Sequence, residues 1–270
     1  VHDMWVRLPL DDELCIKAIE TVSDATPYEL CPNVAENFQA LVGLRIAPGK
    51  GPDRLPNVQA EPAFQKGWFE IQDEGSQVVC ALAGAHPGMT VVDYCAGGGG
   101  KTLGLAAALQ GEGRLIASDV VQKRLNNIQP RLERAGAQAD LRLIGQNGGG
   151  LEDLNGQADL VFVDAPCSGS GTLRRHPEAA WRLKPDEVER LHALQVRILD
   201  QAAKLVKPGG RLAYVTCSVL TRENEASADA FEAAHPDMSP VTVTPPWADG
   251  PMTRVRLSPG ATDTDGFFFA

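Results

Sequence analysis

From Met89 to Ala270, short apolar runs rich in β-branched residues alternate with longer amphipathic ones. The strand-like runs are "MTVVDYC", "GRLIASDV", "ADLRLIG", "ADLVFVDAP" and "GRLAYVTCS". The helix-like runs are "KTLGLAAALQ", "VQKRLNNIQPRLERAGA", "PDEVERLHALQVRILDQAAKLVK" and "RENEASADAFEAAH". Parallel strands need long crossovers, which helices supply. The alternation therefore predicts an α/β, Rossmann-like fold with a doubly wound, mainly parallel sheet. Pro130 predicts a kink or early stop in the second helix, because proline lacks the backbone N–H. The stretch "GFFFA" reads as a closing edge strand with core side chains.

A different pattern precedes this region. Residues 47–63, "APGKGPDRLPNVQAEPA", are rich in Pro and Gly and read as a linker. Before them, "MWVRLPL" suggests a strand, "DDELCIKAIETVS" a helix with an acidic start, and "ALVGLRIA" a second strand. The expected division is a small α/β segment plus linker over 1–60 and a larger domain over 61–270. A chain running from Val1 to an abrupt "GFFFA" is expected to be a fragment of a longer one.

Charge and cysteine usage narrow the function classes. A net charge of −10 excludes a uniformly basic, nonspecific nucleic-acid binder but leaves room for a local basic patch. No apolar run approaches the roughly 18 residues of a membrane span, and no signal peptide is visible. A cytoplasmic monomer with no membrane association is expected. The six cysteines form no C-x-x-C pair, so neither a zinc ribbon nor another metal site is expected. Cys15, Cys31 and Cys80 read as small buried hydrophobes.

The segment "DYCAGGGGKT", Asp93 to Thr102, imitates a phosphate-binding P-loop. A P-loop requires G-x-x-x-x-G-K-S/T, and the place of its first glycine is held by Cys95. The alternative is the nucleoside-binding turn of a Rossmann-like sheet, which needs an acid at the end of the next strand, about 20 residues on. Asp119 in "LIASD" meets that demand. The ligand is then a dinucleotide or S-adenosylmethionine.

Three further residues favour the second. Asp164 and Cys167 follow one strand-like run and Cys217 ends the next, so all three belong at the carboxyl edge where such sheets bind ligands. Two thiols and an acid facing a nucleoside cofactor suggest covalent chemistry. Methylation at C5 of cytosine requires this set. A thiolate adds to C6, C5 becomes nucleophilic, an acid stabilises the adduct near N3, and the enzyme must then be released. Either Cys217 or Cys167 can attack, Asp164 can act at N3, and Lys101 can favour the thiolate.

The stretches "FQKGWFEIQDEGSQ", "VVDYCAGGGGKT", "DAPCSGSGTLRRHPE", "YVTCSVLTRENE" and "DGFFFA" resemble the Sun (Fmu, RsmB-like) family of RNA cytosine-5 methyltransferases over residues 60–270. The resemblance implies that Cys217 is the nucleophile and Cys167 helps release product. It implies that Cys95, Ala96, Gly97, Gly98, Gly99, Gly100 and Lys101 bind S-adenosylmethionine, with Asp119 on the ribose and Arg124 and Asp164 beside the cofactor. The substrate it implies is ribosomal RNA, with transfer RNA as the alternative. The first segment resembles a small RNA-contacting subdomain. The chain departs from the family in having Gly97-Gly98 where Ala-Pro is usual. It also offers Gln146 or Asn147 where an acid usually lies near the adenine.

Weaker signals surround this set. Arg174, Arg175, His176, Arg182 and Lys184 form a basic loop suited to phosphates. Trp181 reads as a packing residue rather than a base-stacking one, and Asp73 reads as the cap of a following helix. A P-loop-like nucleotidase and a noncatalytic RNA-binding relative are the competing readings. The first is disfavoured by Cys95, the second by the presence of both Cys217 and Asp164.

Overall fold

The computed structural model describes residues 3–7, 17, 20–25, 58–181 and 183–270. The chain divides into two units, Val1–Ile71 with Arg134–Gly136, and Gln72–Glu133 with Ala137–Ala270. In the first, β1 (Asp3–Arg7) pairs antiparallel with β2 (Glu20–Ala25), with Arg7 opposite Glu20. Strand β2 corrects the helix expected over 11–23, at least from Glu20 onward, where β-branched Thr21 and Val22 favour a strand. The strand expected at 40–47 and the linker to residue 57 lie outside the described residues. A short helix, α1 (Pro62–Gln65), begins with proline, whose missing N–H costs nothing in a first helical turn.

The second unit is built on a seven-stranded sheet. Its strands are β3 (Thr90–Asp93), β4 (Arg114–Asp119), β5 (Asp140–Leu143), β6 (Ala158–Asp164), β7 (Val206–Thr216), β8 (Val255–Leu257) and β9 (Phe267–Phe269). Their order across the sheet is β5-β4-β3-β6-β7-β9-β8. The pairs from β5 to β7 are parallel, and β9 runs antiparallel to both its neighbours. The order in which strands are laid down reverses between β3 and β6, so a crevice opens there at the carboxyl edge.

Helices cover both faces. Helix α2 (Glu74–Leu82) and α3 (Gly100–Leu109) bury Val79, Cys80, Leu105 and Leu109 against Leu160, Phe162 and Val215. Asp73 caps α2 as expected, its Oδ1 accepting from Ser76 N at 3.1 Å. On the other face, α5 (Pro185–Ala203) and α6 (Glu225–Ala234) bring Ile198, Leu199 and Phe231 against Val161, Val163 and Tyr214. Helix α4 (Gln122–Ala135) buries Leu125, Ile128 and Leu132. It runs through Pro130 without stopping, which corrects the expected early end; Pro130 lies on its exposed face.

The three phenylalanines of β9 are all buried. Phe267 and Phe269 join the α2–α3 side of the core and Phe268 the α5–α6 side. The period of two in a strand explains why a continuous aromatic run suits this position. The strand is not the sheet's edge, as expected from sequence, because β8 pairs beyond it. Phe268→Ala should lower unfolding free energy by about 3–5 kcal/mol, the usual cost of emptying a buried phenylalanine site. Denaturant unfolding of the two proteins side by side measures it.

Candidate active site

The glycine-rich turn joins β3 to α3. Gly97 and Gly99 take positive φ, 55° and 84°. Gly99 precedes the first turn of α3, and a Cβ there would meet Ile128 at 2.9 Å. Only glycine combines that conformation with that approach. The turn thus presents the first N–H groups of α3, which have no partner within the helix. At the end of β4, Asp119 is nearly buried. Its carboxylate accepts from Gly97 N at 3.1 Å and Val121 N at 2.7 Å, and Arg124 lies 3.6 Å away. Each oxygen keeps acceptor capacity beyond these bonds. An oriented acid beside a glycine turn and a helix N-terminus fits a ribose with a charged tail, as S-adenosylmethionine has.

Gln146 is exposed after β5. Asn147 turns its Oδ1 to Gly149 N at 3.2 Å, which leaves Gln146 as the candidate for an adenine edge. Beneath the turn, Asp93 is fully buried and accepts from Thr102 Oγ1 at 2.6 Å. Burial pushes its carboxyl up to about 7 against the pull of that bond. Cys95 is raised well above the ordinary thiol range, mainly by burial, and does not suit a nucleophile. Cys80 packs in the core as expected, with burial pushing its thiol up to about 12.

The reactive groups gather at the ends of β6 and β7. Lys101 Nζ lies 2.7 Å from Asp164 Oδ2 and 5.4 Å from the centre of the Phe267 ring. Burial works against the lysine's charge, but Asp164 outweighs it and raises the ammonium above its usual value. Cys167 and Cys217, fifty residues apart in sequence, bring their sulfurs to 3.3 Å. The hydrogen bond between the two sulfurs holds the Cys217 thiol below its ordinary value, with Lys101 adding to the effect. The same bond, with burial, raises Cys167 well above it. Cys217 is the better thiolate of the pair.

The loop after Cys167 folds back on β9. Gly171 N donates to Cys217 O at 2.9 Å and Gly266 N to Gly171 O at 2.8 Å. A Cβ at Gly171 would stand 2.1 Å from Gly266 O. Arg175 donates to the fully buried Asp265 at 2.5 Å, and Arg174 lies 3.6 Å from it. Arg175 thus clamps this loop to the segment before β9. Trp181 is 89% exposed, which overturns its reading as a packing residue. Arg182 lies outside the described residues, and His176 is exposed.

Sequence reasoning missed Glu223, Gln195 and Asp265, all fully buried. Glu223 sits inside "TRENE", where a run of polar residues reads as surface, and Gln195 occupies an inward position of α5. The only signal was a charged residue six places after a strand-end thiol.

Thiolate fraction governs alkylation, so iodoacetamide at about pH 8 should modify Cys217 before Cys167. The Cys217 rate should rise through a midpoint below 9, the ordinary thiol value. Cys167→Ala removes the S–H donor and should move that midpoint upward. Peptide mass spectrometry across a pH series reads both results.

The comparisons with known proteins agree with this geometry. Residues 80–270 match the family described as 16S rRNA methyltransferase RsmB/F, and residues 1–52 match one described as a protein of unknown function. The ribosomal RNA small subunit methyltransferase B of Salmonella arizonae is 36% identical over 217 residues, covering 79% of this chain and 48% of that protein. The chain thus spans about half the length of the relatives it matches. NSun6 of Pyrococcus horikoshii, solved with the S-adenosylmethionine analogue SFG, superposes with a TM-score of 0.70 at 27% identity, covering 80% of this chain and 56% of that one. A methyltransferase homolog protein of the same organism gives 0.66 at 28%, covering 80% and 72%. The chain belongs to the RsmB/F family of S-adenosylmethionine-dependent methyltransferases.

Proposed function

We propose that this protein methylates C5 of a cytosine in structured ribosomal RNA through a covalent bond between Cys217 and C6. The observation that carries the reading is the pair of thiols 3.3 Å apart beside the Lys101–Asp164 ion pair. The family description and the curated relatives, all ribosomal RNA methyltransferases by name, support the substrate class.

The residues divide the work as follows. The Cys217 thiolate, favoured by the Cys167 S–H and Lys101, forms the C6–S bond and sends an electron pair into the ring toward C5. Asp164 holds a proton at N3, so negative charge does not build on the pyrimidine, and its other oxygen can accept from the exocyclic amine. Lys101 keeps Asp164 oriented through their 2.7 Å contact. S-adenosylmethionine, when bound on Gly97–Gly100 and Asp119, supplies the electrophilic methyl group. Water takes the C5 proton, the electron pair so released expels Cys217 from C6 as a thiolate, and the N3 proton returns to Asp164, which restores the aromatic ring. That leaving thiolate regains the hydrogen bond from Cys167, which is how Cys167 assists release.

Two experiments test this. Asp119→Ala should weaken S-adenosylmethionine binding by about 1–3 kcal/mol, the range for lost charge-assisted bonds. Calorimetry showing magnesium–ATP bound tightly and S-adenosylmethionine not at all would sink the assignment. The thiols should fail differently. Cys217→Ala should neither turn over nor bond to RNA, whereas Cys167→Ala should form the adduct and release it slowly. On a denaturing gel with labelled RNA, a shifted band is expected for Cys167→Ala only. A band for Cys217→Ala instead would reverse the roles, and full turnover in both variants would end the covalent reading.

A further inference from the structure

Behind the two thiols lies a carboxylate that the reaction above does not use. Glu223 is 0% exposed, so it touches neither cofactor nor RNA. It accepts from Ser168 N at 2.8 Å, Ser168 Oγ at 2.5 Å, Ser218 Oγ at 2.6 Å and Gln195 Nε2 at 3.1 Å. Four donors match the roughly four acceptor sites of a carboxylate. The two hydroxyls belong to the residues directly after Cys167 and Cys217. Gln195 also donates to Pro166 O at 3.0 Å, on the other side of Cys167. Glu223 is itself fixed, since Tyr214 OH donates to its carbonyl at 2.5 Å and Asn224 Nδ2 donates to Ser218 O at 2.9 Å.

We propose that Glu223 is a positioning residue, which sets the distance and orientation of Cys167 and Cys217 by holding the serine after each on one buried carboxylate. The two cysteines lie on turns beyond their strands, where the ladder between β6 and β7 no longer fixes their spacing. The carboxylate replaces that ladder. Removing its acceptor capacity takes one partner from the buried Ser218 hydroxyl, the half-buried Ser168 hydroxyl and the Gln195 amide, and the turns must separate or rotate to satisfy them. A 3.3 Å thiol contact does not survive such a shift.

The proposal rests on the covalent cysteine reading above, so its primary readout is thiol chemistry, which needs no RNA. Glu223→Gln keeps the volume but places an amide donor against hydroxyl donors. It should fold, bind S-adenosylmethionine as the parent does, and lose the preference of iodoacetamide for Cys217 over Cys167. The Cys217 alkylation midpoint should move upward in pH, and turnover should fall by about a hundredfold, the effect of a small misplacement of a reacting group. If Glu223→Gln does not fold, Ser168→Ala carries the test with the same readouts. A folded variant with the parental alkylation profile would overturn the proposal, even if turnover fell. A shifted profile in a protein whose parent methylates no cytosine would uphold the positioning role while removing the function proposed for the site.

Discussion

The parallel pairing of β6 with β7 places Asp164 beside Val215 and carries both strands out of the sheet at the same edge. Cys167 follows three residues beyond one end and Cys217 directly after the other. That register brings to one edge the turns that carry two thiols fifty apart in sequence. It also lays Asp164 within 2.7 Å of Lys101, which α3 delivers from the neighbouring strand's turn. A slip of one residue would exchange the two covered faces of β7, sending Tyr214 to the side packed around Ala213 and Val215, so the core residues on both sides hold the site in register.

Electrostatics then distinguishes two chemically identical side chains. Neither thiol has a histidine beside it among the described contacts. The difference comes from one S–H bond and one ammonium, both acting on Cys217. The low-dielectric surroundings that raise Cys80 and Cys95 make those neighbours count for more. Lys101 serves both partners: it balances Asp164 and bears on the thiolate. Its position right after the glycine turn joins the cofactor loop to the base-side residues.

Most of the sheet was legible because its strands carry the apolar runs of a doubly covered parallel sheet, and the helices between them carry amphipathic spacing. The gathering of the glycine turn, Asp119 and both thiols was legible because all four lie at the carboxyl ends of strands in a doubly wound sheet. The C-terminal strand was legible as a strand but not in its place, since nothing local to "FFFA" shows that Val255–Leu257 will pair outside it. The helix expected over 11–23 failed from Glu20 onward because an acidic start outweighed the β-branched pair at its end. Glu223, Gln195 and Asp265 were not legible because a polar residue's burial depends on partners far away in sequence. The Arg175 ion pair was not legible for the same reason, its carboxylate partner lying ninety residues on. Trp181 was misread in the other sense, as aromatic residues are usually inside.

The insertion of β9 between β7 and β8 has a consequence for how the molecule is made. Synthesis runs from the N-terminus, so β6, β7 and the helices over them emerge well before Phe267. Until then the free side of β7 offers unpaired backbone groups, a template for strands of other chains. The clamp of Gly171 on Gly266 and of Arg175 on Asp265 must wait for the same segment. The loop that carries Cys167 therefore gains these backbone and carboxylate partners only when β9 is laid in.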